Sequence, residues 1–138
     1  MANGHKAQQA SYQSRDNAMA KNKQGWLALF SDDAVVQDPV GISPLDPVGN
    51  GHQGKEAIAA FFDNVILSAT MDFEIEKSIP SGDECANLVT ITHHLPNGKH
   101  LPMDMMVIYT ANDEGLITRL KAYWEFEKLT ERMMAAMA

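Results

Sequence analysis

The sequence predicts an α+β fold in which N-terminal helices are wrapped by a curved antiparallel sheet, forming a cone-shaped roll around an apolar cavity. Two observations carry that expectation. Small and apolar residues in the first half recur at helical spacing, whereas the final third alternates with period two. Two turn signals, Asn97-Gly98 and Asn112-Asp113-Glu114-Gly115, divide that third into hairpins. With 138 residues, 45% hydrophobic and 21% charged, the chain suits a single domain, residues 1–138, with a real core and room for a pocket.

Residues 7–21 read as a helix with Ala7, Ala10, Ser14 and Ala18 on one face and Tyr12 turned away from Ser14. A second, short helix is expected over residues 26–30, closed by the polar turn Ser31-Asp32-Asp33. The run Ala34-Val35-Val36-Gln37-Asp38 then reads as a strand. Alternate strand residues share a face, so Asp38 lies with Ala34 and Val36 on the apolar side. A carboxylate there is costly unless partnered, and burial raises its pKa, which makes Asp38 a candidate general base. The alternative is a strand-end Asp that starts an Asx turn before Pro39. The same four residues recur as Asp46-Pro47-Val48-Gly49 with no apolar strand ahead of them, and there they read as loop. Context, not the tetrapeptide, carries any chemistry.

The segment 41–53, rich in Gly and Pro, is long enough to border a functional mouth. A helix opening near Gly54 presents Ile58, Phe61, Phe62 and Val65 as one apolar stripe, with Glu56 suited to its N-terminal turn. A strand is expected over residues 71–78. From Leu116 onward the even positions, Thr118, Leu120, Ala122, Trp124 and Phe126 among them, are expected to face inward. Pairing Ala111 with Leu116 places Tyr109 opposite Thr118, Val107 opposite Leu120 and Met105 opposite Ala122. Reading Asn97-Gly98 as a two-residue hairpin sets His94 opposite Leu101, Thr92 opposite Met103, Thr90 opposite Met105 and Leu88 opposite Val107. The inner face is then apolar with sparse polar groups, Thr90, Thr92, His94, Tyr109 and Thr118, in the manner of a small-molecule pocket. The outer face carries Val89, Ile91, Met106, Ile108 and Tyr123 beside charged residues, with Asp104 opposite Tyr123. Such a face suggests a homodimer surface.

A formal net charge of −7 argues against a nucleic-acid partner. Cys85 is the sole cysteine, which precludes an internal disulfide and points to a reducing compartment; it reads as a small buried residue. The stretch from Met1 to Gln9 has no apolar core of the signal-peptide kind, and no segment is long and apolar enough to span a membrane. A cytoplasmic location is the expectation. Adjacent His93 and His94 point to opposite strand faces, and His5, His52 and His100 show no ligand spacing, so neither a metal nor a cofactor is expected. Met133, Met134 and Met137 form a soft apolar tail suited to covering the cavity mouth or a partner.

Three stretches carry a resemblance. Residues 26–41 run Trp26-Leu27-Ala28-Leu29-Phe30 and end Val36-Gln37-Asp38-Pro39-Val40-Gly41; residues 54–62 run Gly54-Lys55-Glu56-Ala57-Ile58-Ala59-Ala60-Phe61-Phe62; the third is Gly115-Leu116-Ile117 through Ala122-Tyr123-Trp124. Together they resemble the ketosteroid isomerases and SnoaL-like proteins of the nuclear transport factor 2-like superfamily. The resemblance implies the cystatin-like cone-shaped roll, commonly dimeric, and puts the isomerases' catalytic aspartate at Asp38. Their chemistry is proton abstraction beside a ketone, and it needs a base plus donors aimed at the developing enolate oxygen. By the same resemblance the donor tyrosine falls at Ser14, the donor aspartic acid at Val107, and two supporting tyrosines at Phe30 and Phe62. All four polar groups are replaced together, so the base position is retained without the family's oxyanion hole.

The site expected from the sequence therefore comprises Asp38 as base, with Ser14, Phe62, His94, Met105, Val107, Tyr109 and Trp124 lining a site for a hydrophobic small molecule, steroid-like or polyketide-like. His94 and Tyr109 are the candidate substitute donors. A steroid delta-isomerase-like enzyme is the leading expectation. The alternatives are a non-catalytic binding module that keeps the pocket, and a hydratase or cyclase on the same fold.

Overall fold

A computed structural model describes residues 4–138; Met1, Ala2 and Asn3, part of the stretch read as lacking a signal core, lie outside the described residues. Helix α1 (Lys6–Met19) buries Ala7, Ala10, Ser11, Ser14 and Ala18, the small-residue face expected, and leaves Tyr12 exposed. Small residues let this helix lie close against β3, β4 and β5. The next helix, α2 (Lys23–Leu27), starts earlier than expected because the Asn22 side chain caps it by accepting from the Gly25 amide. Phe30 opens strand β1 (Phe30–Gln37) instead of ending the helix.

After β1 the Asp38–Pro39 peptide is cis. The Gly- and Pro-rich segment folds over itself, with buried Asp46 accepting from the Gly49 and Gly51 amides, so the second Asp-Pro-Val-Gly copy is a loop, as its context indicated. Strand β2 (His52–Gln53) leads into α3 (Gly54–Phe61) and a π-helical turn, Phe62–Ile66. Lys21 holds that turn's end by donating to the Ile66 and Ala69 carbonyls. The meander follows: β3 (Met71–Ser81), β4 (Glu84–His94), β5 (His100–Ala111) and β6 (Ile117–Tyr123), then helix α4 (Phe126–Met137).

The six strands form one open sheet in the order β2-β1-β6-β5-β4-β3. It is not wholly antiparallel: β1 lies parallel to β6, matching Val36 with Leu120 and Gln37 with Lys121. Register shifts in β1–β6, β3–β4 and β5–β6 bend the sheet around the helices. The core fills the concave side, where Trp26, Phe30, Ile58, Phe62, Val89 and Ile117 are almost wholly buried.

Two registers correct the sequence expectation. β4 and β5 pair His94 with His100, Ile91 with Met103 and Val89 with Met105. The connecting loop is one residue longer than a two-residue hairpin: Leu95 N–H bonds the Lys99 carbonyl, and Gly98 adopts φ 84°. That is a three-residue loop closed by a left-handed glycine. One residue of slip exchanges the two faces of a strand. Thus Cys85, Asn87, Val89 and Ile91 face inward, while Thr90, Thr92 and His94 face outward. At β5–β6 a bulge pairs Ala111 with Ile117 and Thr110 with Arg119, so Tyr109 faces Leu120, not Thr118, and Val107 faces Ala122. The bulge brings Ile117 inward and leaves Leu120 and Ala122 inward as expected. The inner parity of β5 is as read: Met103, Met105, Val107 and Tyr109 are all buried.

Candidate functional site

Asp38 sits one residue beyond the end of β1, on the side shared by Ala34 and Val36. The parallel register carries β6 alongside, and Val40 N–H donates to the Ala122 carbonyl at 2.9 Å, which locks the two strand ends together. Strands in parallel register keep the same parity, so Trp124 emerges beside Asp38. Its indole Nε1 donates to Asp38 Oδ1 at 2.5 Å. The half-buried Asp38 side chain borders two neighbouring chambers. Burial pushes the Asp38 pKa up to about 6, and the indole bond opposes that rise.

The outer chamber, about 220 Å³, is walled by Met71, Ile91, Met103, Met105 and Leu129, with His93 and Asn64 among its few polar residues. The inner one, about 50 Å³, runs toward Ser14, Trp26 and Tyr109. Asp38, Val65, Met71, Ile91 and Met105 border both. The two together are slightly smaller than the ~300–1,000 Å³ common for ligand sites. A larger open cleft of about 470 Å³ lies beyond Trp124, against Asp104, Lys128 and Arg132, but Asp38 does not reach it.

At the deep end a small polar knot interrupts the apolar wall. Trp26 Nε1 donates to Ser14 Oγ at 3.0 Å and the Tyr109 hydroxyl donates to the same oxygen at 3.2 Å. Burial pushes the Tyr109 phenol well above its usual range; the Ser14 bond opposes this and the charge of nearby Asp38 adds to it. Tyr109 is therefore a neutral hydroxyl at any working pH.

Of the residues expected from the sequence, Asp38, Ser14, Met105, Val107, Tyr109 and Trp124 border these chambers. Phe62 is wholly buried behind Trp26, with ring centroids 5.4 Å apart, and belongs to the core. His94 does not reach the cavity. It lies on the outer face, bonded to His100 at 2.7 Å and Asp72 at 2.9 Å, for the register reason given above. Its neighbour His93 takes the inward place, and burial, with His94 beside it, lowers its pKa and keeps it neutral. Asp104 is outward as expected and accepts from Thr90 Oγ1 at 2.9 Å. The sequence reading missed His93 and Trp26. The indole was findable, because a buried tryptophan N–H needs an acceptor and Ser14 lies on the small-residue face that must pack near it. Among the described residues no group of His, Cys, Asp or Glu is arranged to hold a metal ion, and no helix is long and apolar enough to cross a membrane.

Residues 13–120 match the profile of the SnoaL-like domain. The chain belongs to the SnoaL-like family, within the nuclear transport factor 2-like superfamily. No curated protein matches the sequence. Solved structures similar to this SnoaL-like protein include a Mycobacterium tuberculosis protein in complex with estradiol-17beta-hemisuccinate. That protein is 35% identical with a TM-score of 0.82, over 90% of this chain and 97% of the other. The Delta 5-3-ketosteroid isomerase from Mycobacterium sp. is 34% identical with a TM-score of 0.81, over 90% and 96%. A computationally designed 17-OHP binder is 33% identical with a TM-score of 0.81, over 90% and 95%. The cone-shaped α+β roll is the fold these relatives share.

Proposed function

We propose that this SnoaL-like protein is a steroid delta-isomerase-like enzyme that moves a proton on a hydrophobic ketone, with Asp38 as the base. The observation that supports it most is the Asp38 carboxylate at the junction of two apolar chambers, its pKa raised to about 6. A base tuned to that range is mostly ionised at neutral pH and still accepts a proton from an activated carbon. Asp38 abstracts the proton between the carbonyl and the alkene, holds it as a carboxylic acid against the apolar wall, and returns it to the far end of the dienolate. Trp124 steadies the carboxylate in both states. Incubation with a β,γ-unsaturated ketosteroid, following the absorbance of the conjugated enone, tests this. Equal rates for the wild type and Asp38→Asn would sink the reading.

A second reading is favoured by one observation. Phe30, Phe62 and Val107, at positions where the isomerases carry polar groups, are all buried and apolar. On this reading the protein binds steroid-like or polyketide-like molecules without turning them over. Saturable binding of a steroid with no Asp38-dependent product supports it and excludes the enzyme. Under either reading we assign the protein to the cytoplasm and to a homodimer through the outer face around Met106 and Tyr123, both about two-fifths exposed. A monomeric mass by light scattering would refute the dimer.

A further inference from the structure

The deep polar knot has a surplus hydrogen. Ser14 and Tyr109 are two hydroxyls and carry two hydrogens. The Trp26 indole can only donate, and it donates to Ser14 Oγ. One hydroxyl hydrogen is spent between Ser14 and Tyr109, in whichever direction that bond runs. No acceptor among the described residues takes the other. Ser14 is 3% and Tyr109 2% exposed, so bulk water does not satisfy it either. Leaving a buried donor unmade is unfavourable, and both hydroxyls border the inner chamber that Asp38 also borders. That chamber, about 50 Å³ against about 220 Å³ for the outer one, is the smaller of the two, which suits a carbonyl group there and the hydrocarbon body in the other.

We infer that the paired hydroxyls of Ser14 and Tyr109, backed by the Trp26 indole, form a substitute oxyanion site that donates one hydrogen bond to the ligand's carbonyl oxygen in the inner chamber. The inference rests on the reading of Asp38 as base and specifies the other half of that site: a ligand whose ketone enters first, with its hydrocarbon body in the outer chamber. A hydroxyl that already accepts a hydrogen bond is a stronger donor, so the indole polarises the hydrogen offered to the ligand. As Asp38 removes the α-proton, the carbonyl π electrons move onto oxygen, and the same hydrogen bond tightens on the enolate. Val107 supplies nothing where the isomerases have a second donor, so one donor operates here.

The hydrogen count makes a distinctive demand on variants. Ser14→Ala leaves the Tyr109 hydrogen free and also releases the Trp26 N–H, and Tyr109→Phe leaves the Ser14 hydrogen free, so each single variant keeps at least one donor. The double variant still leaves the Trp26 N–H, which Ser14 held, facing the chamber; only the triple variant Ser14→Ala/Tyr109→Phe/Trp26→Phe loses every donor. The probe is 2-tetralone, with tetralin as the same skeleton without oxygen. In the wild type the bound ketone should absorb in the infrared below its frequency in hexane, and the protein should prefer 2-tetralone to tetralin. Each single variant should keep most of both effects. The triple variant should return the carbonyl to its unbonded frequency and lose about tenfold of the ketone preference, with retained tetralin binding as the control for folding. A wild-type carbonyl at the hexane frequency overturns the proposal, as does a triple variant that keeps the shift. The same probe separates this from the base assignment. Exchange of its C1 hydrogens into D2O reads Asp38, and its loss in Asp38→Asn leaves the carbonyl shift untouched.

Discussion

Replacing Trp124 with phenylalanine removes the hydrogen bond to Asp38 while keeping an aromatic ring in the cavity wall. Hydrogen bonds to charged groups contribute about 1.5–3 kcal/mol, which corresponds to roughly one to two pH units in the carboxylate's titration. Some water enters beside the smaller ring and resolvates the carboxylate, so the lower end applies, and the acidic limb should move up by about one unit. The wild-type pKa of about 6 leaves roughly nine-tenths of the base ionised at pH 7. After the shift about half is ionised, so kcat/KM for proton abstraction should fall about twofold at pH 7 and about eightfold at pH 5.5. Above pH 8.5 the two proteins should converge, with the variant slightly faster because its base is stronger. The assay is kcat/KM against pH on a β,γ-unsaturated ketosteroid, which reports the free enzyme. An acidic limb that stays put or moves down refutes the account, since the indole would then not be holding the ionised form.

Asp38→Asn should stabilise the fold in a pH-dependent way. The folded pKa of about 6 stands above the ordinary 3.8, so the native state holds a proton more tightly than the unfolded chain. Wild-type stability is therefore full below pH 4 and falls by about 2–3 kcal/mol as pH rises through 6, whereas the Asn variant escapes this loss. Thermal melts at pH 4 and pH 8 should show a variant advantage of several degrees only at pH 8. His93→Ala should change the affinity for a steroid ligand by severalfold, while His94→Ala should leave it unchanged, in parallel titrations; the reverse order would mean the β4 register is wrong. Gly98→Ala meets no atom within 4 Å, so its cost comes only from φ 84° and should be about 1 kcal/mol in urea melts.

How legible the site was can be judged residue by residue. Asp38 was readable because a strand's period of two is local: the apolar partners Ala34 and Val36 lie on the same short run. Ser14 was readable as part of a helix face, and Met105, Val107 and Tyr109 as one side of a strand. His94 was misplaced because Asn-Gly suits both a two-residue hairpin and a longer loop that ends in a left-handed glycine. Those two loops differ by one residue, and that residue decides which of His93 and His94 faces the cavity. The bulge between Thr110 and Ala111 shifted the β5–β6 pairing and turned Ile117 inward, while Leu120 and Ala122 kept their inward face.

By itself the sequence determined the succession of helices and strands from α1 to β6 apart from the short β2, the apolar faces of α1, β1 and β5, and the exceptional placement of one carboxylate; it did not foresee that Phe126–Met137 form the helix α4. These follow from backbone periodicity and from the cost of burying charge, both of which act over a few neighbouring residues. The tertiary structure alone decided the partners: the parallel β1–β6 join that brings Trp124 to Asp38, and the meeting of Trp26 and Tyr109 at Ser14. Those contacts join residues far apart in the chain, and turn geometry and bulges set them, which composition does not specify.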